Sequence, residues 1–298
     1  MDMKTTWPLK RGRLWKYLGV RARRLPRFLK RHPTMLFGVF LLVVMSFVAL
    51  AAPLWSKGDP LEINPIDRLQ APSAKHWFGT DHLGRDIYTR TVYGSRISLI
   101  VGLCVSAISM VAGLAIGLFG GYDRRVDAVV MRIMDGLMAI PAILLAIALM
   151  ALMRASVQNV IIALSIPEIP RVVRVVRAAV LSLREQPFVE ATRAAGARVP
   201  YLLLRHILPN TVAPLIVQGT YICASAVIFE AYLSFLGAGT PPQIPSWGNM
   251  MAEGRPYVQI AFWIILFPGL FLALTVLAIN LVGDGLRDTL DPKLARRM

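Results

Sequence analysis

The sequence predicts an all-α polytopic membrane protein with six transmembrane helices. Three observations predict it. Of the 298 residues, 56% are hydrophobic and 17% charged, with a mean hydropathy of +0.57, whereas a soluble domain is nearer a quarter charged. Six apolar runs are each long enough to cross a hydrocarbon core, which takes about 20 helical residues. The excess of Lys and Arg, 33 against 17 Asp and Glu, collects at alternate ends of those runs.

The runs are 34–55, 97–120, 126–153, 157–183, 211–237 and 258–282. All contain glycine, proline or other small residues, which membrane helices tolerate and use for close packing. The first run has a basic flank and an Ala-x-Ala at Ala49–Ala51, as a signal peptide would. Its apolar stretch exceeds the usual signal core, Pro53 follows closely, and the basic flank is over thirty residues long, so it reads as a retained helix. Cys104 and Cys223 each lie inside an apolar run and read as small buried thiols, not a disulfide framework.

Orientation follows from the basic residues near the run ends. The 1–33 tail, the 124–125 turn, the 171–205 region and the C-terminal tail together hold 24 Lys and Arg, and the opposite loops hold 8. The 1–33 tail and the 283–298 tail are therefore expected in the cytoplasm, and the 56–95 loop outside. The net charge of +16 is explained by this bias and by attraction to anionic headgroups. No folded basic module remains for nucleic acid once the runs are removed.

Two loops are informative. The outer one ends in Gly79-Thr80-Asp81-His82-Leu83-Gly84-Arg85-Asp86, a turn-rich cover for the outer mouth. Asp81, Asp86, His76 and His82 lack metal-ligand spacing. The inner stretch 184–208 predicts a short amphipathic helix over 184–199. Pro187 suits a helix start and Glu190 an early turn. Ala191, Ala194 and Ala195 form a small-residue surface, Gly196 a stop or hinge, and Pro200 the start of a second helix. Such a helix between two spans needs a partner or a headgroup surface over its apolar face.

Glu190-Ala191-Thr192, then Gly196, then Ile207-Leu208-Pro209 resembles the loop by which ABC importer permeases dock into their ATPases. Thr192 and His206 depart from the general pattern, while Arg205-His206-Ile207-Leu208-Pro209-Asn210 resembles the dipeptide/oligopeptide branch. Phe78-Gly79-Thr80-Asp81 with Gly84-Arg85-Asp86, Phe229-Glu230-Ala231, Leu233 to Gly237, Ser246-Trp247-Gly248, and Gly283 to Asp288 with Leu290-Asp291-Pro292 are similar to further signatures of that branch, in order over nearly the whole chain.

The resemblance implies the C-type permease and the type I ABC importer permease fold, one N-terminal helix ahead of a five-helix core over 96–282. It implies a plasma-membrane subunit that imports di- or oligopeptides without catalysing chemistry. The same machinery carrying a nickel chelate, glutathione, haem or an opine-like solute is the alternative, and a stand-alone transporter the rival class. The implied partners are a homologous B-type permease, two ATPase subunits that bind ATP and Mg, an extracytoplasmic peptide-binding protein and the lipid bilayer. Glu190, Ala191, Thr192, Ala195, Gly196, Arg205 and His206 are then the expected coupling residues, and Asp81, Arg85 and Asp86 the candidate outer-loop residues.

Two acids fall inside runs, where ionisable groups are costly. Glu230, part of the Phe-Glu-Ala signature, reads first as a structural hydrogen-bonding group. Glu168, between Pro167 and Pro170, is open to either a structural or a pathway role, since flanking prolines free backbone carbonyls and suit a cavity wall. Arg171, Arg174 and Arg177, spaced by three, read as side chains reaching the inner interface, and Arg132 with Asp135 as a local ion pair. No phosphate-binding loop, G-x-S-x-G or H-E-x-x-H occurs, so ATP is expected to bind elsewhere.

Overall fold

The computed structural model describes residues 33–56 and 58–290, so most of the 1–33 tail and the end of the 283–298 tail lie outside the described residues. These form helices α1 (Pro33–Leu50), α2 (Ile87–Tyr122), α3 (Arg124–Met138), α4 (Ala142–Leu152), α5 (Val157–Arg184), α6 (Pro187–Ala194), α7 (Leu208–Phe235), α8 (Trp247–Gly254) and α9 (Trp263–Leu290). No named strand occurs among the described residues. The helices α1, α2, α9 and the run Val199–Phe235, which contains α7, are each long and apolar enough to cross a membrane.

Three expected boundaries move. The second run starts ten residues early, at Ile87, because the Asp86 side chain caps the helix by accepting from Thr89 N–H at 2.8 Å. Residues 87–95, expected in the outer loop, are helical. The first run ends at Leu50, followed by one separate turn, Ala52–Trp55, with Pro53 in its first turn. The run 126–153 is not one continuous helix. It breaks into α3 and α4, bent by 86°. Pro141 cannot donate to the ladder and pushes the preceding residue off helical geometry, so the chain turns there.

The centre of the bundle is α2 against α5. Gly113, Gly117 and Gly121 of α2, four apart, face Val172, Val176 and Val180 of α5, and a Cβ on Gly117 would stand 2.8 Å from the Val176 Cβ. Small residues at this spacing let two backbones approach closely in a membrane, where packing rather than the hydrophobic effect holds helices together. α1 lies on α9 in the same way, through Gly38 beside Leu281 and Gly285 beside Met35. α7 packs across α2, α5 and α9. It is preceded by one helical turn, Val199–Leu202, and a π-helical turn, Leu203–Ile207.

Candidate functional site

α6 stands between α5 and α7 and is held by little of its own surface. Val189 is buried, while Glu190, Ala191, Ala194, Ala195 and Gly196 are exposed. Pro187 opens the helix. Gly196 closes it with φ +84°, its N–H donating to the Arg193 carbonyl at 3.0 Å and the Ala197 N–H to the Thr192 carbonyl at 3.3 Å. That is the left-handed glycine stop of a helix. The helix is shorter than the 184–199 expected, because residues 184–186 belong to the end of α5 and the turn after it. Thr192 donates its hydroxyl to the Phe188 carbonyl. Arg205 and His206 lie in the π turn, with the His206 ring 5.6 Å from Tyr201 and 6.2 Å from Phe188. Phe188, Val199, Tyr201 and Leu204 are exposed around α6, an apolar surface awaiting cover.

Beside α6 opens a cavity of about 510 Å³ lined by Tyr122, Asp123, Arg124, Arg184, Glu185, Val189, Glu190 and Arg193. Asp123 caps α3 by accepting from the N–H groups of Arg125 and Val126, and these hydrogen bonds hold its carboxyl below the usual carboxylate range.

At the other end of the bundle the signature segments converge. Glu230, fully buried, accepts from Ser234 Oγ at 2.9 Å and from Ser98 Oγ at 3.3 Å. Ser234 lies beside Thr240, Thr240 donates to Ser246 Oγ, and Asn249 donates to Thr240 Oγ1 at 2.9 Å. Ser246 in turn caps α8. Trp247, buried, donates to the Thr91 carbonyl at 3.1 Å. Glu230 thus sits in a hydrogen-bond network that ties α2, α7 and α8.

The outer loop is fastened by charge. Asp81, buried, accepts from Arg85 Nε and Arg90 Nη1, each at 2.6 Å, and from the Arg85 and Leu83 N–H groups. Glu253 of α8 accepts from Arg85 Nη2 at 2.5 Å and Arg90 Nη1 at 2.7 Å. Burial raises the Asp81 carboxyl, but the two guanidinium groups and the N–H donors outweigh it and hold it below the usual range. Asp81, His82 and Glu253 are close enough to share a cation, yet both carboxylates already serve two arginines. Asp86 caps α2 and meets His76 Nδ1 at 3.0 Å. A second hub, Asp67, accepts from Lys75, Asn64 and Gln70 at 2.7–2.9 Å, and chiefly the Lys75 bond keeps it ionised to low pH.

In α5, Glu168 is 2% exposed and accepts from Arg171 Nη1 with both oxygens, at 3.0 and 3.2 Å. Arg174 pairs with Asp135 at 2.6 Å, and Arg177 grips Asp127 through Nε and Nη2. Arg174 and Arg177 therefore form a ladder onto α3, while Arg171 pairs within α5. Asp135 belongs to this ladder, which corrects the expected local pair with Arg132. Sequence reasoning also missed that Arg90 pairs with Asp81 and that Glu253 shares both arginines with it, counting Arg90 and Glu253 only as loop charges. Spacing carried no sign of that long-range pairing. The Gly113, Gly117, Gly121 stripe did carry a signal, its fourfold repeat.

Four helical stretches long and apolar enough to cross a membrane, a bent apolar pair and an exposed short helix between two long ones are the features of a polytopic membrane protein. The chain belongs to the family of binding-protein-dependent transport system inner membrane components, whose profile matches residues 96–296, with the N-terminal TM domain of oligopeptide transport permease C matching residues 23–72. It falls in the C-type dipeptide/oligopeptide branch of that family. It is 54% identical over 271 residues to a probable peptide ABC transporter permease protein of Sinorhizobium fredii, covering 91% of this chain and 93% of that one. It is 44% identical to the dipeptide transport system permease protein DppC of Alkalihalophilus pseudofirmus, over 89% of this chain and 88% of the relative. The oligopeptide transport system permease protein OppC of Bacillus subtilis is 38% identical, with 87% and 85% covered. A chain of the inward-facing MetNI methionine ABC transporter superposes with a TM-score of 0.57 at 22% identity, over 69% of this chain and 98% of that one, a likeness of fold.

Proposed function

We propose that this chain is one half of the translocation pathway of an ATP-driven importer of di- and oligopeptides. The observation that carries the reading is α6, a capped helix exposed at the end of the bundle where the basic residues collect, on a chain whose relatives are named as peptide permeases. Six crossings follow if α5, 28 residues and about 42 Å long, is a span beside α1, α2, the α3–α4 pair, α7 and α9. Both tails are then cytoplasmic and α6 faces the cytoplasm. A B-type permease completes the pathway, and a peptide-binding protein docks outside. Two ATPase subunits bind ATP and Mg and seat α6 in a groove, the helix-in-groove mode of recognition. Closure of the ATPases moves α6, and α6 moves the spans. The free energy enters in the partners, since a two-state pathway shifts only as far as its ligands favour one state. Peptide is preferred over a nickel chelate or another solute because the relatives' names agree on it.

The test is Gly196→Val and Glu190→Lys in proteoliposomes of the whole complex. Gly196 has no atom within 4 Å of an added Cβ, so valine acts through the positive φ and costs about 1–2 kcal/mol locally. Both variants insert normally, and each loses solute-stimulated ATP hydrolysis or ATPase retention. Full stimulation and full retention in both would remove the coupling role of α6.

A further inference from the structure

The exposed faces of α1 and α2 are apolar: Phe37, Phe40, Val43 and Phe47 on one, Leu103, Val111 and Phe119 on the other. α5 differs. Its face turned away from the α2 glycines exposes Arg171 and Arg174, whose side chains are 44% and 46% exposed. Arg171 is fourteen residues from the start of α5, about 21 Å along the axis and close to its midpoint. A guanidinium at that depth cannot face hydrocarbon, and groups of this kind line a wet cavity or a partner.

The geometry of Arg171 says what it is prepared to hold. Glu168, buried at its back, takes only Nη1. Nε and Nη2 have no partner among the described residues. Those two nitrogens form one edge of the planar fork, the edge that binds a carboxylate by two parallel hydrogen bonds. Glu168 fixes the fork and cancels its net charge. This lets the pair sit at mid-depth and keeps its hold on an anion weak enough for release, as a pathway requires.

We propose that Arg171, positioned by Glu168, is a transient subsite for the C-terminal carboxylate of the peptide as it crosses. The inference rests on the importer reading and names the part of the substrate met by α5.

The experiment uses the complete complex in proteoliposomes, with binding protein saturated by trialanine or by trialanine amide, and reads the ratio of the two uptake rates. The unsubstituted complex favours the free acid. Arg171→Gln combined with Glu168→Gln removes both charges and leaves no lone buried one. It lowers the ratio about tenfold, the scale of a charged hydrogen-bonded contact. Arg171→Lys keeps the ion pair but lacks the fork and gives an intermediate ratio. An unchanged ratio, with both peptides slowed alike or neither slowed, overturns the subsite and marks the pair as structural. Loss of co-purification with the second permease also overturns it, making Arg171 a subunit contact. If the unsubstituted complex imports neither peptide, the importer reading itself falls, and this inference with it.

Discussion

Asp81 sits between two arginines that also share Glu253, two negative and two positive groups of which all but the partly exposed Glu253 are buried. Removing one member of a buried ion cluster leaves an uncompensated charge, which costs more than the intact cluster contributes. Both arginines touch both carboxylates, and Arg90, 1% exposed, is the more deeply buried of the two. Arg90→Met is expected to cost about 3 kcal/mol or more and to expose the outer loop to protease while the helices stay inserted. Thermal unfolding in detergent and limited proteolysis read both effects. The pH dependence has a definite sign. The Asp81 carboxyl is held below its ordinary value of 3.8, so its contribution is complete above that value and is lost only as pH falls through the depressed one. Protection of the loop is therefore expected to be the same at pH 7 and pH 5.

At the scale of the element, the α2–α5 contact is one that a single added carbon can disturb. Gly117→Leu forces a side chain where the first added carbon already meets Val176 at 2.8 Å. Overpacking of this kind costs about 1–3 kcal/mol, and Val176→Ala in the same chain should return part of it. Melting of the single and double variants in detergent decides this; equal melting of Gly117→Leu and the parent would mean that the helices separate at no cost. The helices also show what a sequence can announce. The apolar runs located α1, α2, α7 and α9, since burial in hydrocarbon is a property of composition. The bend between α3 and α4 was carried by Pro141 but hidden by the apolar residues on both sides of it. α5 exposes charge near the middle of its length, and only tertiary structure reveals that Arg174 and Arg177 answer Asp135 and Asp127 from another helix. The glycine at the end of α6 was legible because its backbone conformation belongs to glycine. The Glu230 network was legible as signatures and not as contacts, because its hydroxyl partners come from three separate stretches.

For the whole molecule, the decisive property is which side each loop faces. The charge asymmetry is what supports the proposed placement of both tails inside. Single cysteines at Ala71 and Gln243, both exposed, are expected to react with an impermeant thiol reagent on cells whose outer barrier has been opened, and cysteines at Thr5 and Ala295 are not. Gly239 is unsuitable for such a probe, since a side chain there would collide with Ser234. Labelling at Thr5 from outside would reverse the proposed orientation, placing α6 away from any nucleotide-hydrolysing partner.

The π turn at Leu203–Ile207 has a consequence of another kind. Its wider ring takes up one residue more than an α-helical turn, and each residue of a helix advances the azimuth by about 100°. The joint therefore works as an angular offset between the arm that carries α6 and the shaft that continues as α7. A chain lacking only Leu204 could close the same backbone bonds as an unbroken helix, yet its arm would point a quarter-turn or more away from the present direction. Length in this short stretch acts as a setting of bearing for α6.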